Sequence, residues 1–263
     1  MNFREKLEHI IQKNNSLLCV GLDIDKEKMP AYLFEASKTP YLDFNKKIID
    51  ETKDLVCAYK LNMAFYEVLG IKGYKILSET IEYIPKDVII ILDGKRNDIG
   101  NTAKKYAKSL FETLNCDAVT INPYLGIDGV KPFLDYSDKC SFILCRTSNP
   151  SAGDFQDIKS DGIPLYQTIA GKIRSWNSYG NCGAVVGATY PEELKIIRKI
   201  LGKDIPILIP GIGAQGGDVE KTVKFGTNED RKMAIIVSSR SIIYAENSRL
   251  AATSLLEKIN KFL

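Results

Sequence analysis

The sequence predicts an α/β protein, a closed (β/α)8 barrel of the TIM type with one N-terminal helix, forming a single domain over residues 1–263. Two observations carry this. Short β-branched apolar runs recur at fairly even intervals, each followed by a longer stretch of helical period, and eight such units fill the chain. Gly21-Leu22-Asp23-Ile24-Asp25, after the first run, lacks the glycine fingerprint that an open doubly wound sheet would place there.

In chain order, Phe3, Leu7, Ile10 and Ile11 at helical spacing give the N-terminal helix. Strands are expected over 17–22, 56–61, 88–92, 118–121, 141–145, 183–186, 207–209 and 234–237. The third, Val88-Ile89-Ile90-Ile91-Leu92, is apolar without interruption, as in a strand buried on both faces. Helices are expected over 43–53, 74–83, 102–114, 127–134, 164–179, 191–201, 218–225 and 248–262. Two connections are long, 23–42 and 146–162. In a compact domain such loops serve as functional lids or as surface decoration.

Thirty-six Lys and Arg against 33 Asp and Glu leave a net charge of +3, too even a balance for nucleic acid or an acidic membrane as the main partner. The six cysteines form no C-x-x-C pair and fall mostly in or beside expected strands, as buried thiols in a reducing cytoplasm would. Neither a signal core nor an apolar run of bilayer length is seen, so a soluble cytoplasmic protein is expected. The single histidine, His9, sits in the N-terminal helix, where packing or solvation explains it. Without a second histidine, Ser-His and Cys-His nucleophile schemes and His-rich metal sites lose their usual parts. Acid or base work falls to Lys, Asp, Glu, Tyr or Cys.

Chemistry in such a barrel is expected where the strands end. Asp23 ends the first. Lys60 and Asn62, two apart at the end of the second, share a face, as do Asp93 and Lys95 at the end of the third. Asp98 and Thr102, four apart, are expected on one face of the following helix. Helix capping and rim solvation would explain each charge singly. Ionised groups beside buried surface are costly unless paired or used, and their coincidence on three consecutive strands points to one charged mouth. Pro210-Gly211-Ile212-Gly213-Ala214-Gln215-Gly216-Gly217-Asp218 follows the seventh strand, and Ser238-Ser239-Arg240-Ser241 the eighth. A glycine-rich loop alone is a tight turn; beside Arg240, which can bind bidentately, it reads as a phosphate grip. Ser148 reads equally as a heterocycle contact or an ordinary turn residue.

These residues resemble the orotidine 5′-phosphate decarboxylase family. The likeness rests on Asp93-x-Lys95-x-x-Asp98-Ile99-x-x-Thr102, Pro210-Gly211-x-Gly213-Ala214-Gln215-Gly216-Gly217, Arg240-Ser241-Ile242 and the strand-end Asp23 and Lys60, in the family's order over nearly the whole chain. Tyr59-Lys60-Leu61-Asn62 and Thr147-Ser148-Asn149 look like the longer-chain branch found in some bacteria and protozoa. The resemblance implies decarboxylation of orotidine 5′-phosphate to UMP and CO₂, the last step of UMP synthesis, without metal or organic cofactor. It implies that Lys60, Asp93, Lys95 and Asp98 form an alternating charge network, in a homodimer where Asp98, Ile99 and Thr102 reach the partner's site. Asp23, Asn62 and Thr102 would hold the ribose hydroxyls, Ser148 the pyrimidine, and Gln215 and Arg240 the phosphate, with Pro210 and Ser239 lining the same pocket. The family usually has Gly before the phosphate arginine. Ser239 keeps the backbone N–H there and adds a side chain.

The chemistry such a site must perform is demanding. Losing CO₂ from C6 of orotate leaves an in-plane electron pair that the ring π system cannot delocalise. An ammonium such as Lys95, placed where that charge develops, would stabilise it and then protonate C6. One rival is a related barrel that decarboxylates a keto-sugar phosphate with bound Mg²⁺, which needs carboxylates free for the metal. Another is a non-catalytic phosphate-ligand sensor that kept the barrel.

Overall fold

The computed structural model describes residues 1–213 and 216–263. Its strands are β1 (Leu18–Gly21), β2 (Ala58–Asn62), β3 (Ile89–Arg96), β4 (Ala118–Ile121), β5 (Cys140–Arg146), β6 (Lys159–Ser160), β7 (Ile163–Pro164), β8 (Cys182–Val186), β9 (Ile207–Pro210) and β10 (Ala234–Ser238). Eight of them close a barrel in the order β1-β2-β3-β4-β5-β8-β9-β10, every neighbouring pair parallel. Their side chains are almost wholly buried, because one face fills the barrel and the other meets the helical ring. β6 and β7 form a separate antiparallel hairpin inside the connection after β5.

The expected N-terminal helix spans Phe3–Asn14, opened by an Asn2–Glu5 capping box. It packs across the amino ends of β4 and β5. Phe3 meets Phe142 edge to face at 5.9 Å, and Lys6 pairs with Asp117 at 2.7 Å. His9 is exposed on this helix, and all six cysteines are free and buried. Among the described residues no helix is long and apolar enough to cross a membrane.

Three differences from the expected elements bear on the site. β3 runs on through Arg96, since its register with β4 slips between Leu92 and Arg96 and Lys95 takes a left-handed backbone at φ 45°. The next helix is Gly100–Lys108, continued by a π-helical turn over Ser109–Thr113. Asp98 therefore precedes the helix and shares no helical face with Thr102. Extended Ile99 starts the helix, and Asp98 Oδ1 accepts the Ile99 N–H at 2.8 Å. The long connections also carry structure of their own: helix Tyr32–Ala36 in the first, and a 3₁₀ turn Pro150–Ala152, helix Gly153–Gln156 and the hairpin in the second.

Candidate active site

A cavity of about 530 Å³ opens at the carboxyl ends of the barrel strands, lined in part by Asp23, Lys60, Asp93, Lys95, Ser148, Pro210, Ser239 and Arg240. Parallel closure explains the gathering. β1 lies beside β2 with Gly21 opposite Lys60, and β2 beside β3 with Asn62 opposite Asp93, so the charged strand ends fall at one height.

The charges form a chain. Lys60 Nζ stands 3.7 Å from Asp23 Oδ1 and donates to Asp93 Oδ2 at 3.0 Å. Lys95 Nζ donates to Asp93 Oδ1 at 2.8 Å. Burial disfavours the Lys60 ammonium, but the Asp93 and Asp23 carboxylates outweigh it and hold Lys60 above its ordinary value. Burial likewise disfavours ionised Asp93. The two ammoniums and hydrogen bonds from Lys95 and Thr120 prevail, keeping its carboxyl well below the usual carboxylate range. Lys95 itself is 48% exposed at its side chain, so its ammonium faces the cavity while tethered at one side.

Thr120 escaped the sequence reading. Its hydroxyl donates to Asp93 Oδ1 at 2.7 Å and accepts the Lys95 N–H at 3.0 Å, fixing the β3 irregularity that aims Lys95. A threonine inside a four-residue apolar strand reads as an ordinary β-former, and only the β3–β4 register, with Val119 opposite Leu92, reveals it beside Asp93.

Ser239 is accommodated by a glycine. A Cβ on Gly21 would stand 1.8 Å from Ser239 Oγ and 2.8 Å from its Cβ, so the serine side chain fills the space that Gly21 leaves at the end of β1. Gly21→Ala is expected to destabilise the fold by about 1–3 kcal/mol through overpacking. Ser239→Gly in the same chain should restore most of it. Equal Tm losses with and without Ser239→Gly would contradict this contact.

β5 delivers Arg146, whose buried guanidinium pairs with Asp157 at 3.0 Å and lies 4.1 Å from the Tyr190 ring centre. Gln156 accepts the Thr147 N–H at 3.0 Å and donates to Thr147 Oγ1 at 2.7 Å. These ties fold the connection after β5 back on itself, and its residues Ser148 and Gln156 line the cavity. After β9, Gly211, which lines the cavity, and Gly213 adopt φ of 111° and 93°, a backbone closed to most side chains. Gln215, expected at the phosphate, lies outside the described residues.

Asn62, Asp98, Ile99 and Thr102 do not line this chain's cavity. Asn62 Oδ1 accepts the Ala64 N–H at 3.3 Å, Asp98 is half-buried, and Ile99 and Thr102 are exposed.

The family model described as "Orotidine 5′-phosphate decarboxylase / HUMPS family" matches residues 16–255. A protein of Dehalococcoides mccartyi named orotidine 5′-phosphate decarboxylase is 51% identical over 251 residues, covering 94% of this chain and 90% of that protein. The solved OMP decarboxylase of Leishmania donovani superposes with a TM-score of 0.89 at 36% identity, over 100% of this chain and 98% of that one. The UMP synthase of the same organism gives a TM-score of 0.92 at 38% identity, and this chain spans 56% of its length.

Proposed function

The chain belongs to the orotidine 5′-phosphate decarboxylase family, and from that membership we propose how its barrel mouth carries out the reaction. It is a carboxy-lyase that converts orotidine 5′-phosphate to UMP and CO₂. The observation that carries the mechanism is the Lys60–Asp93–Lys95 chain, with a buried carboxylate between two ammoniums.

In this reading Lys95 stabilises the C6 carbanion as CO₂ leaves and then donates its proton to C6. Held by Asp93, on a backbone that Thr120 fixes, the ammonium needs little reorganisation when charge develops. Asp93 stands beside the departing carboxylate and keeps Lys95 oriented. Asp23 receives ribose hydroxyls; its Oδ1 is buried without a hydrogen-bond partner among the described residues, as an acceptor awaiting a ligand would be. Arg240 and the glycine-rich loop bind the phosphate, Ser148 faces the pyrimidine, and Pro210 and Ser239 complete the wall. Phosphate binding supplies energy for closing the loops that exclude water. Both acids at the cavity floor are engaged by lysine, which supports metal-free chemistry over the Mg²⁺-dependent rival.

The working unit in this reading is a homodimer of single-domain catalytic subunits in the cytoplasm. Val68, Ile71, Ile99, Tyr124 and Leu125 are exposed apolar residues on the loops and helices after β2, β3 and β4. Arg96 ties these elements together, pairing with Glu67 and lying over the Tyr106 ring. Such a patch suits a partner surface. Burying it would carry Asp98, Ile99 and Thr102 toward the second site.

The direct test follows orotidine 5′-phosphate by ultraviolet absorbance with purified protein and excess EDTA. Loss of the orotate band with formation of UMP is expected; an unchanged spectrum from folded, UMP-binding protein would point to the sensor, or to a sugar phosphate retested with Mg²⁺. Arg240→Ala is expected to weaken binding of phosphorylated ligands by about 100-fold and the nucleoside hardly at all. An equal loss for both would contradict the phosphate role.

A further inference from the structure

The helix that follows β10, Arg240–Ile243, ends in Tyr244, and the hydroxyl of Tyr244 reaches the connection after the neighbouring strand, β1. There it donates to the Asp23 carbonyl at 2.7 Å and accepts the Asp25 N–H at 2.7 Å. Two main-chain groups flanking Ile24 are thus closed onto one oxygen. The Tyr244 ring stacks on Phe44 at 5.7 Å with 21° between the planes, and its N–H bonds back to the Arg240 carbonyl at 3.3 Å. Burial pushes the Tyr244 hydroxyl up to about 12, so it remains a donor throughout the neutral range.

The residue before this clamp is pinned as well. Tyr66 Oη donates to the Leu22 carbonyl at 2.9 Å, while Asn45 donates to Tyr66 Oη at 3.1 Å. The backbone on either side of the Asp23 Cα is therefore held by two tyrosines from different elements. The Asp23 carboxylate itself is not: its nearest cation, Lys60, stands 3.7 Å away. Its direction is set by the main chain that carries it.

We propose that Tyr244 is a positioning residue, which fixes the Asp23 carboxylate for the substrate's ribose hydroxyls and ties that acid rigidly to the helix bearing Arg240. This rests on the reading that Asp23 binds ribose. Its consequence is that the phosphate end and the ribose end of the substrate are gripped by one body.

The test compares affinities for UMP and 2′,3′-dideoxy-UMP in the unaltered enzyme and in Tyr244→Phe, which keeps the ring on Phe44 and deletes the hydroxyl. The unaltered enzyme should prefer UMP, and Tyr244→Phe should reduce that preference by about five- to tenfold, the effect of misaligning one hydrogen-bonding group. The dideoxy ligand should bind both proteins alike. A preference unchanged in Tyr244→Phe, or equal weakening of both ligands, would overturn the proposal. No preference in the unaltered enzyme would instead remove the ribose reading on which it rests. Phe44→Leu loosens the ring but spares the hydroxyl. It should lower Tm while keeping the preference, and a matching loss of preference there would assign the effect to general packing.

Discussion

Lys95→Ala is expected to lower turnover of orotidine 5′-phosphate by about 10⁴-fold or more while leaving UMP binding measurable, because one ammonium serves as both carbanion stabiliser and proton donor. The folded state should tolerate the change. The Lys95 side chain is 48% exposed, and Asp93 keeps Lys60 and the Thr120 hydroxyl as partners. Its φ of 45° is a strained backbone for a non-glycine residue, held by the Thr120 bond to its N–H. Alanine leaves that bond in place, so the experiment removes the charge and not the geometry around it. Single-turnover rates and UMP affinity, measured side by side, separate the two. Turnover within tenfold of the unaltered enzyme would remove Lys95 from the proton-donor role.

The charged mouth was readable because a parallel barrel converts sequence order into position. A polar residue just after a buried apolar run lies at the carboxyl face, so the sequence alone places Asp23, Lys60, Asp93 and Lys95 together there. Arg240 followed from the same logic beside the glycine-rich loop. Residues whose role depends on register or on long reach were not readable. Thr120 meets Asp93 because β4 pairs with β3 with Val119 opposite Leu92, and no local pattern announces that register. Tyr244 carries no local pattern that marks it, yet its hydroxyl bonds a carbonyl 221 positions away. Asp98 differs for a related reason: its spacing to Thr102 predicts a shared helical face, but Ile99 is extended and begins the helix after it.

Asp93→Asn is expected to combine a large loss of turnover with a loss of stability of about 3–5 kcal/mol, the effect of removing one partner of a buried ion pair. Lys60 is only 5% exposed, and without Asp93 its nearest acid is Asp23 at 3.7 Å. The pH dependence of folding should change with it. Asp93 is depressed below its ordinary value of 3.8, so the unfolded chain takes up a proton there before the folded one does, and this stabilisation is lost as pH falls below that value toward the folded one. Lys60 is raised above its ordinary value of 10.5, so its contribution is complete below that value and lost at higher pH as the folded group titrates. Between those limits the pair contributes fully, and Asp93→Asn should lower the plateau of a stability-versus-pH curve and flatten its acid limb. Denaturant midpoints across pH check this directly. Substrate affinity supplies a second readout, because an uncharged amide no longer repels the substrate carboxylate: kcat should fall sharply while KM stays level or drops. An unchanged acid limb, or a rise in KM with kcat preserved, would show that Asp93 neither carries the buried charge nor acts on the departing carboxylate.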